Sequence, residues 1–170
     1  MADRVYIKVV DSCDGPIKGA SPVTSDGREG MIECFSFEDG VHNPCNPSTG
    51  TSTGQRALLP MKLRTTLGVH SVHLAKACAL NHKLSVDIHF YRPSQKGDVP
   101  SYNFMSVKLT DAMIQSITRV VPDSEILASD NARVPYEIIE LVYKDSKWEF
   151  KPEDASEGES CEHEDIWAQR

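Results

Sequence analysis

The sequence predicts a mainly β protein: a closed or nearly closed β-barrel of about seven or eight strands with one short flanking α-helix. Most of the chain up to residue 150 consists of short segments rich in β-branched and aromatic residues, separated by Gly, Pro, Asn and Asp. Only one stretch, from Leu67 to Tyr91, contains a clearly marked helix, and a half-buried strand follows it. Closure is expected because it removes exposed strand edges.

The helix is predicted over Val72 to Leu80. Ser71 before it is a good N-cap, because its hydroxyl can accept hydrogen bonds from amide groups of the first turn. Asn81 after it tolerates the left-handed conformation at which helices often stop. The apolar residues expected to face the core at helical spacing are Val72, Ala75 and Ala79, with Leu74, Ala77 and Cys78 beside them.

A half-buried strand is predicted directly after the helix, up to Tyr91. Apolar and polar side chains alternate along it, so that one face is expected to be buried and the other solvated. The apolar face consists of Leu84, Val86, Ile88 and Phe90, and the polar face of Ser85, Asp87, His89 and Tyr91.

The remaining strands are predicted from shorter runs of the same kind. In the second of them Phe35 and Phe37 are expected to share a face, and Thr110 to Ala112 are expected to bulge the chain between the fifth and the sixth. The predicted ranges are Val5 to Val10, Met31 to Glu38, Leu59 to Thr66, Tyr102 to Leu109, Met113 to Val121 and Val134 to Tyr143, with a short last strand at Trp148 and Phe150.

Length and charge limit the possible partners. At 170 residues, the chain is expected to form one domain over residues 1–150 with a tail over 151–170. The net charge of −7 argues against binding to nucleic acid or to an anionic membrane surface. No apolar run approaches the roughly 20 residues of a membrane-spanning helix, and the first five residues lack the basic-then-apolar layout of a signal peptide, so none is expected. Synthesis in the cytoplasm is therefore expected, without membrane insertion.

The C-terminal tail is strongly acidic. From Glu153 to Asp165 it carries seven acidic residues and neither Lys nor Arg. Such a run cannot bury enough apolar surface to fold alone, so a flexible tail is expected, with Trp167 as a docking point.

A long polar loop is predicted after the second strand. It has no periodicity and almost no apolar side chain from His42 to Gln55. Inserts of about this length within compact domains are usually functional or disordered. Pro44 and Pro47 restrict its backbone, which lowers the entropy lost when it orders against a partner.

Metal and redox chemistry is not predicted. The five cysteines form no C-x-x-C pair, so reduced and isolated thiols are expected. His70 and His73 could share a helix face but lack a third ligand in any recognised pattern. The run from Cys161 to Asp165 has the residue types of metal ligands, yet it lies in the expected tail. We therefore expect no metal site and no cofactor.

Catalytic groups are not assembled by any recognised motif either. A hydrolase that used Cys78 with His89 or His73 would need an exposed, acidified thiol, whereas Cys78 is expected to be a small buried side chain. Asp87 and His89 share a strand face, but a solvated or interface position is favoured over an acid–base pair. No catalytic residue is assigned.

Several local phrases, in their order and spacing, resemble the Hcp (haemolysin-coregulated protein) family, the tail-tube subunit of bacterial type VI secretion systems. The resemblance covers residues 4–150 and lacks the family's Asp and Pro at the helix entry, in the region from Arg64 to His73. It is carried by Glu33 to Val41, the helix–strand unit from Ser71 to Tyr91, Tyr91-Arg92, Lys108 to Ile117, Glu137 to Lys144, and Trp148.

The resemblance implies a structural protein without enzymatic activity. It implies that the chain assembles into hexameric rings that stack into a tube, that a sheath drives this tube outward, and that small effector proteins travel in the lumen. Partners would be further copies of the chain, the sheath and spike proteins and the effectors, and the protein would be secreted by the machine itself, in virulence or bacterial competition.

The resemblance also places the polar loop where subunits or successive rings meet. The predicted contact residues are Asn43, Pro44, Asn46, Pro47, Ser48, Thr49, Thr51, Ser52, Thr53 and Gln55. A helix flank of His70, His73 and Lys76 is expected to be solvated and to face the lumen or a neighbouring subunit.

Two other classes of function remain open from the sequence. One is a monomeric β-barrel that binds a small apolar ligand in its interior. The other is a hydrolase effector that uses Cys or His.

Overall fold

The computed structural model describes residues 3–55, 57–94, 100–122, 134–151 and 153, together with the backbone of 159–164. Within these ranges it has one α-helix, α1 (Val69–Ala79), and a 3-10 turn at Ser25–Gly27. The strands are β1 (Arg4–Asp11), β2 (Gly15–Ile17), β3 (Ile32–Glu38), β4 (Val41–His42), β5 (Ala57–Leu58), β6 (Met61–Thr66), β7 (Leu84–Arg92), β8 (Tyr102–Val120), β9 (Tyr136–Val142), β10 (Asp145–Phe150) and β11 (Glu159–Glu164).

Six strands close into an antiparallel barrel, in the order β8, β7, β1, β3, β6, β9 and back to β8. β10 pairs with β8 outside this ring, β11 pairs with β10, and β2 pairs with the end of β1. The predicted mainly β barrel with one flanking helix is confirmed. The ring contains fewer strands than the number of strand-like segments in the sequence suggests, because the last two strands, β10 and β11, extend the sheet outside the ring.

The 19-residue strand β8 takes part in both halves of the barrel. Its first half pairs with β7 and its second half with β9, and the β7 register shifts between the pairs Val86–Leu109 and Leu84–Ala112. Asp111 lies in this shift with a φ of 51°, an uncommon left-handed conformation for a residue other than glycine. The predicted bulge therefore exists, but it bends one continuous strand.

The barrel interior is filled by the inward faces of its strands. On β7 the predicted alternation is confirmed, because Leu84, Val86, Ile88 and Phe90 are all buried. Tyr91 is buried as well, contrary to its assignment to the polar face, because it packs edge-on against Tyr6 after a register shift in the β7–β8 pairing. The inward-facing apolar side chains leave little room at the centre of the barrel.

The predicted shared face of Phe35 and Phe37 is wrong. Phe37 packs edge-on against Phe90 and Trp148, whereas Phe35 is 59% exposed. The β3–β6 register shifts between Cys34 and Ser36, so the alternation on which the prediction depends is interrupted there.

The helix begins earlier than predicted and buries a different face. Its first residue is Val69, so the N-cap residue is Gly68, and Ser71, predicted as the N-cap, lies within the first turn. Val72, expected to be buried, is 72% exposed. Asn81 follows the helix with a φ of 54°, as predicted. The buried helical residues are His70, Ser71, Leu74 and Ala77.

The acidic C-terminal segment includes β11, whose backbone pairs with β10 from Asp145–Glu164 to Phe150–Glu159. A strand in this position needs only backbone hydrogen bonds at a sheet edge, which acidic composition does not prevent. Trp167 lies outside the described residues. No helix among the described residues is long and apolar enough to span a membrane.

Candidate assembly surface

The polar loop is an ordered β-hairpin, which we call the polar hairpin (residues 41–58). Its base is the β4–β5 pair, and Cys45 and Ser52 form a further bridge towards the tip. Backbone hydrogen bonds continue between them, from Thr53 N to Pro44 O at 2.9 Å and from Asn46 N to Thr51 O at 2.9 Å. The loop predicted to lack regular structure is therefore held by its own backbone.

Asn46 organises the tip of the polar hairpin. Its carbonyl oxygen accepts hydrogen bonds from the amides of Thr49 and Gly50, and its Oδ1 accepts one from the amide of Ser48 at 2.9 Å. Gly50 closes the turn with a φ of 68°, a conformation that glycine adopts at little cost. The tip is thus preorganised without any contact to the barrel core.

The predicted loop residues lie at the surface. Within residues 43–55 only Pro44 and Asn46 are half-buried, and the others are exposed. Hydroxyl and amide groups therefore project from a fixed backbone into the solvent, which is the composition of a polar contact surface.

A second exposed feature is an apolar groove, formed by the bulged part of β3 and the start of β9. It has a volume of about 650 Å³ and is lined by Phe35, Arg64, Thr66, Val120, Pro122, Val134, Pro135 and Tyr136. Phe35 and Val134 are 59% and 61% exposed, and the guanidinium of Arg64 lies 3.8 Å from the centre of the Tyr136 ring. The groove thus combines exposed apolar side chains with a stacked cation.

The predicted helix flank is only partly exposed. His73 and Lys76 are exposed, and the Nζ atom of Lys76 lies 2.5 Å from Asp14 Oδ2. His70 is 1% exposed, so its assignment to a solvated flank is wrong. A three-residue spacing leaves the side chains of His70 and His73 about 60° apart around a helix, and the edge of the buried face lies between them.

The helix is attached to the barrel through Glu137, a fully buried carboxylate on β9. Its Oε1 accepts hydrogen bonds from Ser71 Oγ at 2.8 Å and from Thr65 Oγ1 at 3.4 Å, and its Oε2 accepts one from Arg119 Nε at 3.2 Å. Arg119 Nη2 also donates to the carbonyl oxygen of Ser71 at 2.9 Å. We call these residues, with His70, the helix clasp; its hydrogen bonds offset the cost of burying a charge.

His70 completes the helix clasp as a neutral imidazole. Burial lowers its pKa below 6.5, and this outweighs the opposite effects of Glu137 and of the hydrogen bond to Thr66. Its Nε2 lies 3.0 Å from Thr66 O and 3.6 Å from Glu137 Oε1. Because a carbonyl only accepts, Nε2 carries the proton, and the contact with Glu137 is not an ion pair.

Gly68 is the N-cap residue of the helix and lies against the ring of His70. A Cβ atom at this position would lie 2.9 Å from His70 Cε1, so that any side chain would collide with the buried ring. Ser71 Oγ accepts the Gly68 N–H at 3.1 Å while its own hydrogen goes to Glu137. One hydroxyl therefore closes the first turn and joins it to the barrel.

The other groups considered for chemistry are not assembled into an active site among the described residues. The thiol of Cys78 is half-buried and 3.8 Å from the carbonyl of Ile114. Asp87 lies between Lys8 and Lys108 on neighbouring strands, and His89 Nδ1 is 3.0 Å from Asn103 Nδ2. The run from Cys161 to Asp165 has no described side chain.

Two groupings of polar residues could not be predicted from the sequence. Glu137 and Ser71 are 66 positions apart, and Asp11 and His82, joined at 2.8 Å, are 71 apart. No spacing rule connects residues that far apart. Only the apolar alternation around Glu137 on β9, interrupted by a charge at an inward position, gives a local signal.

The comparisons with known proteins agree with this architecture. The sequence profile of the family described as "Type VI secretion system effector, Hcp" matches residues 6–150. No curated protein matches the chain in a sequence search.

Three solved structures with a similar fold are described as Hcp proteins. One described as an Hcp protein has a TM-score of 0.82 at 23% identity, over 96% of this chain and 98% of that chain. A mutant of the Hcp1 protein from E. coli EAEC 042 has a TM-score of 0.74 at 25% identity, over 94% and 98%. The secreted protein Hcp3 from Pseudomonas aeruginosa has 0.71 at 18% identity, over 95% and 99%.

The match to the family profile extends over nearly the whole barrel and includes its helix. The likeness of fold extends over almost the full length of these structures. The chain therefore belongs to the Hcp family, the tube subunits of the type VI secretion system.

Proposed function

We propose that this chain is a non-enzymatic tube subunit that assembles with five further copies into a hexameric ring, and that the polar hairpin and the apolar groove are its contact surfaces. The observation that carries the proposal is the ordered but exposed polar hairpin. None of its described side chains belongs to the core cluster, although thirteen residues, 43–55, are held in a defined conformation. Order without burial within one subunit favours a role between subunits.

Preorganisation supports this role. Ordering a loop on binding costs free energy, of order 0.5–1.5 kcal/mol for each immobilised side chain. The turn around Asn46 and the bridge between Cys45 and Ser52 already fix the backbone of the polar hairpin before a neighbour arrives. A neighbouring subunit would therefore meet a surface that needs little rearrangement.

A closed ring of identical subunits needs two different surfaces on each copy, because head-to-tail contacts are heterologous. The polar hairpin offers one and the apolar groove the other. Exposed Phe35 and Val134 are costly to leave in water unless another surface covers them. Arg64 stacks on Tyr136, and both residue types are enriched at the centre of protein interfaces.

The filled interior favours the tube subunit over a ligand-binding barrel. The cavity between Ile7, Val86 and Leu141 inside the ring of strands has a volume of only about 10 Å³. This is room for one water molecule at most, whereas pockets for small molecules have volumes of about 300–1,000 Å³. An apolar ligand would have to displace core side chains to enter.

Replacement of Asn43 to Gln55 by a short Gly-Ser linker tests the polar hairpin. The circular dichroism spectrum should remain that of the parent, because loop closure entropy changes slowly with length and no core residue is lost. The mass measured by light scattering should fall from that of a ring towards that of one subunit. Truncation after Lys151 is the control of similar size and should leave the ring intact.

Each failure of this experiment has a distinct meaning. A parent protein that is monomeric at micromolar concentration would contradict ring assembly itself. A shortened protein that still forms rings and is exported would exclude the polar hairpin as a contact. A shortened protein that does not fold would show that the hairpin belongs to the barrel.

The apolar groove is tested with a matched pair of substitutions, one two residues before β9 and one at the last residue of β9. Val134→Ser changes a groove residue that is 61% exposed, and Val142→Ser changes a residue that is 40% exposed and outside the groove. Both variants should unfold like the parent. Only Val134→Ser should weaken the ring, and equal ring masses for the two would exclude the groove.

The wider partners follow from the family as proposals. The sheath and spike proteins would act on the assembled tube, small effector proteins would occupy its lumen, and the chain would leave the cell through the machine. Loss of export from a strain that lacks the sheath would test the route. Export that continues without the sheath would contradict it.

A further inference from the structure

A second polar cluster lies at the opposite end of the helix from the helix clasp. It is formed by the end of β1, the turn after it, and the loop between α1 and β7. Asp11 is 3% exposed, and its Oδ2 lies 2.8 Å from Nδ1 of the largely buried His82. Its Oδ1 accepts the amides of Cys13 at 2.8 Å and Asp14 at 3.5 Å. The free thiol of Cys13 is exposed next to this pair.

One oxygen, one nitrogen and one sulfur ligand thus converge from separate parts of the chain. The carboxylate oxygen of Asp11, the sulfur of Cys13 and a ring nitrogen of His82 all lie within 4.8 Å of one another. We propose that these three residues bind a divalent transition metal ion such as Zn²⁺, with water as the fourth ligand. Ions of this class accept thiolate, imidazole and carboxylate together, whereas Mg²⁺ and Ca²⁺ prefer oxygen alone.

The geometry requires little movement. Bonds of about 2.0–2.3 Å to Zn²⁺ place neighbouring tetrahedral ligands roughly 3.3–3.7 Å apart. Asp11 and His82 are already closer than that, and their separation must increase by less than about 1 Å. The side chain of Cys13 is exposed and can turn towards them. The two amides on Asp11 Oδ1 hold the carboxylate so that Oδ2 is presented, as outer-shell hydrogen bonds do in metal sites.

The local charges balance a divalent cation. Burial opposes ionisation of Asp11, but hydrogen bonds from the amides of Cys13 and Asp14 and from His82 outweigh it and hold the pKa of the carboxyl below its usual value. With the thiol ionised, the three ligands carry two negative charges. The nearby ammonium of Lys76 would repel a cation, but Asp14 pairs with it at 2.5 Å and offsets its charge.

The protons also balance. Binding breaks the S–H bond of Cys13 and forms the sulfur–metal bond, so that one proton goes to solvent. The nitrogen of His82 that binds the ion must carry no proton, so a proton that Nδ1 shares with Asp11 leaves it for Nε2 or for solvent. At least one proton is therefore released for each ion bound, and affinity should rise with pH. The bound ion would join the C-terminal end of α1 to the β1–β2 turn.

Cobalt is a suitable probe, because Co²⁺ takes similar ligands and a thiolate–cobalt bond absorbs in the near ultraviolet. The reduced, metal-free protein should bind Co²⁺ in a 1:1 ratio with this absorption, and Zn²⁺ should displace it and raise the thermal midpoint. Mg²⁺ should do neither. Cys13→Ser should abolish the absorption and weaken Zn²⁺ binding by more than the roughly 10–100-fold that loss of an outer-shell partner costs.

Matched variants make the test specific. Cys45→Ser removes another exposed thiol, and Cys161→Ser removes the thiol of the acidic segment; both should retain the absorption. His82→Gln should lose tight binding while keeping the thiol. The proposal would be overturned if the parent protein showed no sulfur–cobalt band. It would also be overturned if Cys13→Ser kept the band while Cys161→Ser or Cys45→Ser lost it. In that case the Asp11–His82 contact is a structural hydrogen bond alone.

Discussion

Ser71 in the first turn of α1 donates a 2.8 Å hydrogen bond to Glu137 on β9, and both residues are buried. This bond joins the helix to the barrel strand that closes against β6 and β8. Because the carboxylate of Glu137 also accepts from Thr65 and Arg119, three elements besides its own depend on one side chain. The helix clasp is thus the polar counterpart of the contacts that Leu74 and Ala77 make with the core.

Glu137→Gln should destabilise the protein by about 1–3 kcal/mol. The glutamine side chain has an NH₂ group in place of one carboxylate oxygen. This NH₂ group would face a hydrogen-bond donor of the helix clasp, and Arg119 would lose its charge partner. The midpoint of urea unfolding should fall at unchanged slope. Glu140→Gln on the same strand is the control: its contacts with Ser116 and Lys62 are solvent-accessible, and its loss should be smaller. Equal losses would contradict the special role of Glu137.

Stability should fall as the pH is lowered from 7 to 5. Burial lowers the pKa of both His70 and His89 below 6.5, so the unfolded chain binds these protons more tightly than the folded one. For such groups stability is complete above the unfolded value and decreases towards the lowered folded value. His70→Gln should flatten this dependence, while its difference from the parent at pH 8 reports the loss of ring packing and of the hydrogen bond to Thr66. If the stability of His70→Gln changed between pH 7 and 5 as steeply as that of the parent, the assignment of His70 as a buried neutral imidazole would be contradicted.

Ile88→Asp should unfold the subunit or destabilise it severely. Ile88 is fully buried on β7, and an unpaired charge at such a position is among the costliest single changes. Asp87→Ala on the opposite face should change the free energy of unfolding by no more than about 0.5 kcal/mol, because Asp87 is half-exposed between Lys8 and Lys108. Thermal unfolding measures both variants. Comparable losses would contradict the assignment of one buried face.

Truncation after Lys151 should change the thermal midpoint of the subunit only slightly. It removes β11, which is an edge strand, while β10 keeps its pairing with β8. It also removes the contact between Glu153 and the hydroxyl of Ser94. Seven acidic residues near one another repel, which offsets part of the lost hydrogen bonding. A large decrease would show that the acidic segment, or Trp167 beyond it, is docked on the barrel.

The strands of the barrel could be predicted from the sequence where the pattern was long and uninterrupted. Alternation along β7 correctly identified four of its five buried side chains, and Asn81 correctly marked the end of the helix. Both are local signals, because side-chain direction in a strand and left-handed backbone at a helix end depend on immediate neighbours. The family resemblance depended on the same ordered segments.

Predictions failed where a neighbouring element decides which side of a segment is buried. Phe35 is exposed because the β3–β6 pairing slips by one residue, and Val72 is exposed because the barrel receives the face of α1 that carries His70 and Leu74. The polar hairpin has no apolar pattern, and its order comes from backbone bonds across a turn.

By itself the sequence determined the class of fold, the helix–strand unit from α1 to β7, and the polar character of the segment from residue 43 to 55. Only the tertiary structure decided how the helix attaches to the barrel and which polar groups meet. Glu137 with Ser71, and Asp11 with His82, come together because strand pairing brings residues more than 60 positions apart to within hydrogen-bonding distance. Local periodicity contains no information about such contacts, because it records only the direction of each side chain and not what lies opposite.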